Sequence, residues 1–144
     1  MSYSIDVNVL LYASSTQSPH HAAATEFLER CRQDTTLWYL TWPTLMAYLR
    51  MTTHASILSP PLLSEDAMSN VQSLLNLPQV RVLSESEGFW DVYREVTRGL
   101  VVRGKAVPDA HLAALLKQHG VATLFTNDRD FSRFPFLTVR NPLA

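Results

Sequence analysis

One cysteine, four glycines, no long apolar run and no surplus of either charge: these scarcities exclude several function classes at once. A lone Cys31 forbids an internal disulfide and any zinc site built on a cysteine pair. It falls in phase with Phe27 and Leu28 on a predicted helix, where a buried structural thiol is expected. Four glycines supply no phosphate-cradling loop, and no Gly-x-Ser-x-Gly elbow is present for a serine hydrolase. No window approaches the ~18 consecutive apolar residues of a membrane span, so no membrane association is expected. The opening Met1-Ser2-Tyr3-Ser4-Ile5-Asp6 lacks a basic segment followed by an apolar one. That predicts no export signal and a cytoplasmic location. A net charge of −1 lacks the global basic character of many nucleic-acid binders, so any such contact must come from a local patch.

What is present suits one domain over residues 1–144: 47% hydrophobic residues against 17% charged. Short strands and helices alternate. A strand at 3–5 runs into a helix at 8–13, and a second helix starts at Ser18-Pro19 and reaches about Arg32. A strand at 37–40 precedes a helix capped by Thr41 with Pro43 in its first turn. A loop from His54 to Leu63 holds Pro60-Pro61, and a helix follows from Ser64 until Pro78 stops the chain. A strand at 80–83 leads to Ser84-Glu85-Ser86-Glu87, a capping-box pattern before the next helix. Asp109 opens a further helix that Gly120 ends. Strands at 121–125 and 137–139 complete the set. Such alternation predicts an α/β fold with a parallel sheet covered on both faces, where ligands gather beyond the carboxyl ends of the strands.

Three aspartates fall at that edge. Asp6 ends the first strand, Asp109 begins a helix, and Asp128 follows the run Val121-Ala122-Thr123-Leu124-Phe125-Thr126-Asn127. Singly, each has an ordinary structural explanation as a cap or turn residue. Jointly, acids beside apolar elements call for a positive partner. Mg²⁺ or Mn²⁺ suits hard oxygen ligands, lowers the pKa of bound water and neutralises charge on phosphate oxygens. Asn8 and Thr126 are placed to orient the carboxylates. A phosphotransfer enzyme with Asp6 as nucleophile is the weaker alternative, because Asn8 stands where a second acid is usually needed.

The ordered segments Ile5-Asp6-Val7-Asn8-Val9-Leu10-Leu11-Tyr12-Ala13, Tyr48-Leu49-Arg50-Met51-Thr52-Thr53, Asp109-Ala110-His111-Leu112-Ala113-Ala114 and Thr126-Asn127-Asp128-Arg129-Asp130-Phe131 carry a family resemblance. The chain resembles the PIN-domain ribonucleases, most closely the VapC toxins of bacterial toxin–antitoxin pairs. The tail, Phe134-Pro135-Phe136-Leu137 and Asn141-Pro142-Leu143, is similar to one branch of that family. The resemblance implies a PIN-like three-layer α/β/α fold with a central parallel sheet flanked by helices. It implies Mg²⁺- or Mn²⁺-dependent RNA cleavage, neutralisation by a cognate antitoxin protein, and a homodimer. Residue by residue, it assigns metal binding to Asp6 and Asp109 and adds Asp128 as a further site acid. Asn8 and Thr126 are the supporting polar groups and Arg50 the site-proximal arginine; Asp130, which the resemblance does not assign, is a further candidate carboxylate.

One position departs from the pattern. Many family members carry a glutamate just before the aromatic-Leu-Arg segment, and here Ala47 precedes Tyr48-Leu49-Arg50. A missing acid predicts weaker metal affinity and motivates a second reading, a PIN-like RNA- or protein-binding module with weakened catalysis. Of the basic residues preceding Asp109, Arg94 and Arg98 are spaced for intrahelical pairs with Asp91 and Glu95. Arg103 and Lys105 are the better candidates for phosphate contacts. The five histidines have structural or surface roles in this reading, and the tryptophans core or interface roles. The apolar residues around Pro60-Pro61, namely Ile57, Leu58, Leu62 and Leu63, suggest a partner surface.

Overall fold

The computed structural model describes residues 2–144. Its centre is β1 (Tyr3–Ile5), which pairs in parallel with β2 (Trp38–Thr41) on one side and β4 (Thr123–Phe125) on the other. β3 (Val80–Leu83) lies outside β2, and β5 (Thr138–Arg140) outside β4. The order β3-β2-β1-β4-β5 reverses direction between β1 and β4, and every pairing is parallel. A crevice opens at such a reversal, beyond the carboxyl ends of the two strands.

Parallel strands need crossovers, and helices supply them. α1 (Val7–Ser14) and α2 (His21–Arg32) link β1 to β2, while α3 (Trp42–Thr52) and α4 (Ser64–Leu75) link β2 to β3. Their apolar sides meet Tyr3, Ile5, Trp38, Leu40 and Val80 on one face of the sheet. α5 (Phe89–Val96) and α6 (Ala106–Gln118) link β3 to β4; α6 packs with Leu83, Leu124, Phe131 and Phe134 on the other face. Alternate strand residues thus point into separate cores, which is the expected three-layer arrangement. Cys31 is buried, and its carbonyl accepts from Trp38 Nε1 at 3.0 Å. Trp38 is core, whereas Trp42 and Trp90 are exposed.

The differences from the sequence expectation have local causes. Ser18 does not cap α2: its hydroxyl accepts from His20 N–H and its carbonyl from His21 N–H, so the helix begins later. The Ser84–Glu87 pattern forms no capping box. Gly88, at φ +83°, turns the chain into α5, Glu85 reaches His111 instead, and Ser86 N–H binds Gln118. α6 starts at Ala106, so Pro108 and Asp109 lie inside its first turn rather than before it. β4 starts at Thr123 because Val121 N–H is taken by the carbonyl of Leu116 at the end of α6. β5 starts at Thr138 because Leu137 N–H closes a turn on Phe134. The apolar loop divides: Leu58 is buried, Leu62 packs on the core, and only Ile57 and Leu63 are exposed, at 41% and 72%.

Leu124 is fully buried in the strand that carries Thr126 and Asp128 to the crevice. Leu124→Ala is expected to lower stability by about 2–5 kcal/mol, the usual range for an interior truncation. Urea unfolding followed by tryptophan fluorescence measures it, and a loss under about 1 kcal/mol would contradict this packing.

Candidate functional site

The site is built on the β1–β4 reversal. Asp6 N–H binds the carbonyl of Phe125 at 2.9 Å, which continues the strand pairing one step past β1. Asp6 then caps α1, its Oδ1 accepting from Val7 N–H at 2.8 Å. Its other oxygen accepts from the Thr126 hydroxyl, also at 2.8 Å. Thr126 Oγ1 in turn accepts from Asn8 Nδ2 at 3.1 Å and from Asp128 N–H at 3.0 Å. One buried hydroxyl therefore fixes Asp6, Asn8 and the start of the Asp128 turn. Asn8 Oδ1 accepts from Asn127 N–H, which closes the loop from the other side.

Asp128 caps the 3-10 turn Arg129–Arg133, its Oδ1 accepting from Asp130 N–H at 2.9 Å. This turn brings Asp130 round to join Asp128 and Asp109. One carboxylate oxygen from each of the three lies within 4.8 Å of the others. That spacing lets one hydrated divalent cation reach all three, and the set is purely hard oxygen, as Mg²⁺ or Mn²⁺ requires. Asp6 stands behind this group. It lines a small cleft of about 100 Å³ together with Asp109, with Thr44 and Ala47 of α3, and with Phe131. Ala47 thus exposes a methyl group to the cleft where an acid would have faced Asp6 and Asp109.

The electrostatics agree with the geometry. Burial pushes the Asp6 carboxyl upward, and Asp128 adds to the push. The hydroxyl of Thr126 and the amide of Val7 oppose it. Asp109 is raised to about 6, first by burial and then by the charges of Asp128 and Asp6. Arg133 pulls it partly back. Several carboxylates confined together and only partly offset by Arg133 are the situation a bound cation relieves.

Of the residues singled out from sequence, Asp6, Asn8, Asp109, Thr126, Asp128 and Asp130 are brought to this one edge. Arg50 is exposed on α3, three residues past Ala47, and does not line the cleft. Arg103 and Lys105 are exposed in the turn entering α6. Neither Asp91–Arg94 nor Glu95–Arg98 forms an ion pair among the described residues. Arg98 lies beyond α5, in a turn where its N–H binds the carbonyl of Glu95. His111 binds Glu85 at 2.6 Å and His119 the carbonyl of Ser84, both surface contacts. Two roles escape the sequence reading, that of Arg133 and that of Asn141 in the family-like tail. Arg133 holds Asp130 through its carbonyl at 2.9 Å and its carboxylate at 3.6 Å. Asn141 donates to Asn127 Oδ1 at 2.8 Å and so ties the tail to the site loop. The three-residue spacing of Asp130 and Arg133 was the available signal for the first.

A sequence model of the PIN domain matches residues 3–137. The chain is 42% identical over 144 residues to Ribonuclease VapC48 of Mycobacterium tuberculosis, covering 100% of this chain and 99% of the relative. It is 33% identical over 139 residues to Ribonuclease VapC43 of the same organism, covering 96% and 94%. Among solved structures, VapC20 of M. tuberculosis, a Sarcin-Ricin loop cleaving toxin, superposes with a TM-score of 0.69 at 16% identity, over 96% and 98% of the two chains. VapBC2 from Rickettsia felis, bound to a promoter DNA fragment, gives 0.68 at 20% identity, over 98% of each chain. The structural likenesses establish the fold.

Because the folded protein raises the Asp109 pKa, ionisation of this carboxyl opposes folding at neutral pH when no cation is supplied. Asp109→Asn is therefore expected to raise the melting temperature in chelator at pH 7.5. The gain should shrink as pH falls through about 6 and vanish where the carboxyl is protonated in folded and unfolded chains alike. Differential scanning fluorimetry across pH tests this; a gain that grows toward acid pH would refute it.

Proposed function

The chain belongs to the PIN-domain family, and within it to the VapC ribonucleases, and from that premise we propose that it is a metal-dependent endoribonuclease, the toxin of a toxin–antitoxin pair. The observation that carries the reading is the convergence of Asp109, Asp128 and Asp130 on one another, with Asp6 behind them, at the reversal point of the sheet. We assign catalytic and metal-holding roles to Asp6, Asp109 and Asp128, with Asp130 as a further ligand. When bound, Mg²⁺ or Mn²⁺ supplies Lewis acidity toward water and neutralises charge developing on the phosphate oxygens.

The protein's own residues hold this chemistry in place. The Thr126 hydroxyl donates to Asp6 and stops that carboxylate from rotating. Asn8 and the amide of Asp128 complete the hold on Thr126. Arg133 offsets part of the negative charge on Asp130 and Asp109, which limits repulsion of an incoming phosphodiester. The partners follow from the same reading: an RNA substrate, a cognate antitoxin protein and a second copy of the chain, in the cytoplasm. Trp42 and Met46, exposed one turn apart on α3, offer apolar surface to a protein partner. None of the helices among the described residues is long and apolar enough to cross a membrane.

Asp6→Asn and Asp109→Asn are each expected to cut RNA cleavage by about 100-fold or more, beyond what disturbing a ligand's support usually costs. A chelator should abolish cleavage by the unmodified protein. Gel assays of single-stranded RNA, with circular dichroism to verify folding, measure both. Undiminished cleavage by either folded variant would remove that residue from the site.

Ala47 supports the second reading, a weakened module, because its methyl group faces the cleft beside Asp6 and Asp109. Ala47→Glu is expected to tighten Mn²⁺ binding about tenfold by adding a hard oxygen ligand. Titration calorimetry decides; unchanged affinity would show that Asp130 already fills that role.

A further inference from the structure

A second cleft, of about 340 Å³, lies on the α5–α6 side of the sheet, at the end of the acidic turn. Arg98, Lys117 and Arg133 line it, against one acid, Glu95. These cations come from three distant segments: the turn after α5, the last turn of α6, and the 3-10 turn behind Asp128. Arg98 and Lys117 form no ion pair among the described residues. The ammonium of Lys117 sits 5.2 Å from the centroid of the Phe136 ring, which keeps it over the cleft. Arg133 belongs to both places: it lines this cleft, and it holds Asp130 beside Asp109 and Asp128.

We propose that this cleft is a phosphate-binding subsite that grips the RNA backbone on one side of the scissile bond. The inference rests on the ribonuclease reading. A net charge of −1 and a four-acid edge both repel a polyanion, so affinity has to come from a separate, locally cationic surface. The Arg98–Lys117–Arg133 cleft is that surface, and it adjoins the acids through a shared side chain. Backbone contacts of this kind are indifferent to sequence, so the subsite fixes the strand's path and leaves target choice to other contacts.

The test uses the full chain carrying Asp109→Asn, so that RNA stays intact, and a short fluorescent single-stranded RNA of mixed sequence. Anisotropy titrations over a range of salt give Kd and its salt dependence. Arg98→Ala/Lys117→Ala is expected to weaken binding several-fold and to lower the log–log salt slope by about 1.4, roughly 0.7 per cation removed. Arg30→Ala/Arg32→Ala removes the same charge from α2, across the sheet, and should leave both nearly unchanged. The charge-preserving pair Arg98→Lys/Lys117→Arg should restore the slope. A parent that binds RNA while the Arg98/Lys117 variant matches it in Kd and slope overturns the subsite alone. A parent that binds no RNA even at low salt overturns the ribonuclease reading and the subsite with it.

Discussion

Thr126 contributes one hydroxyl, 1% exposed, and three hydrogen bonds converge on it. It gives its proton to Asp6 and accepts from Asn8 and from the amide of Asp128. A valine at that point would fill nearly the same volume and leave a buried carboxylate oxygen and two donors without their partner. The hydroxyl thus joins the end of β1, the first turn of α1 and the loop after β4. The end of β1 and the loop after β4 carry Asp6 and Asp128 of the acidic edge, and the first turn of α1 carries the Asn8 that braces them. The parallel pairing of β1 with β4 places Thr126 within reach; the hydroxyl converts that proximity into a defined geometry.

Confining four carboxylates has an electrostatic cost that the fold meets in two ways. Asp6 is 8% exposed and holds both its oxygens in hydrogen bonds, so its charge is partly satisfied in place. Asp109 lacks such bonds, and burial with the neighbouring charges pushes it up to about 6; burial raises Asp6 too, against the pull of its hydrogen bonds. The difference separates an acid whose orientation the scaffold fixes from one held by charge and burial alone. Arg133 moderates the second and also faces the cationic cleft, so attraction and repulsion of a polyanion are arranged side by side.

Much of this was legible in the sequence because it rests on local rules. Strand ends, the Thr41 cap with Pro43, and the glycine stop at 120 announce the elements, and strand–helix alternation announces the sheet. The acids at 6 and 128 are readable as strand-end residues. Asp130 is harder to place: Asp128 reads as an ordinary turn residue, and only the curl of the chain into a 3-10 turn brings the carboxylate two residues on round to join Asp128 and Asp109. Asp109 was placed at a helix start, whereas α6 begins three residues sooner and holds it in the first turn. The Ser84–Glu87 pattern misled because a left-handed glycine and the Glu85–His111 contact won over local capping. No local rule joins Arg98, Lys117 and Arg133; only the packing of α5, α6 and the tail does.

The first strand is also the middle strand, and the hydrogen bond that the Asp6 carboxylate at its end accepts from Thr126 spans 120 residues of sequence. Closing so long a loop is entropically slow, and parallel pairing gives no short-range intermediate that could stand in for it. An incompletely folded chain therefore contains every aspartate yet no acidic pocket. On the ribonuclease reading, cleavage activity therefore requires the finished tertiary structure and is absent from chains still in the course of folding.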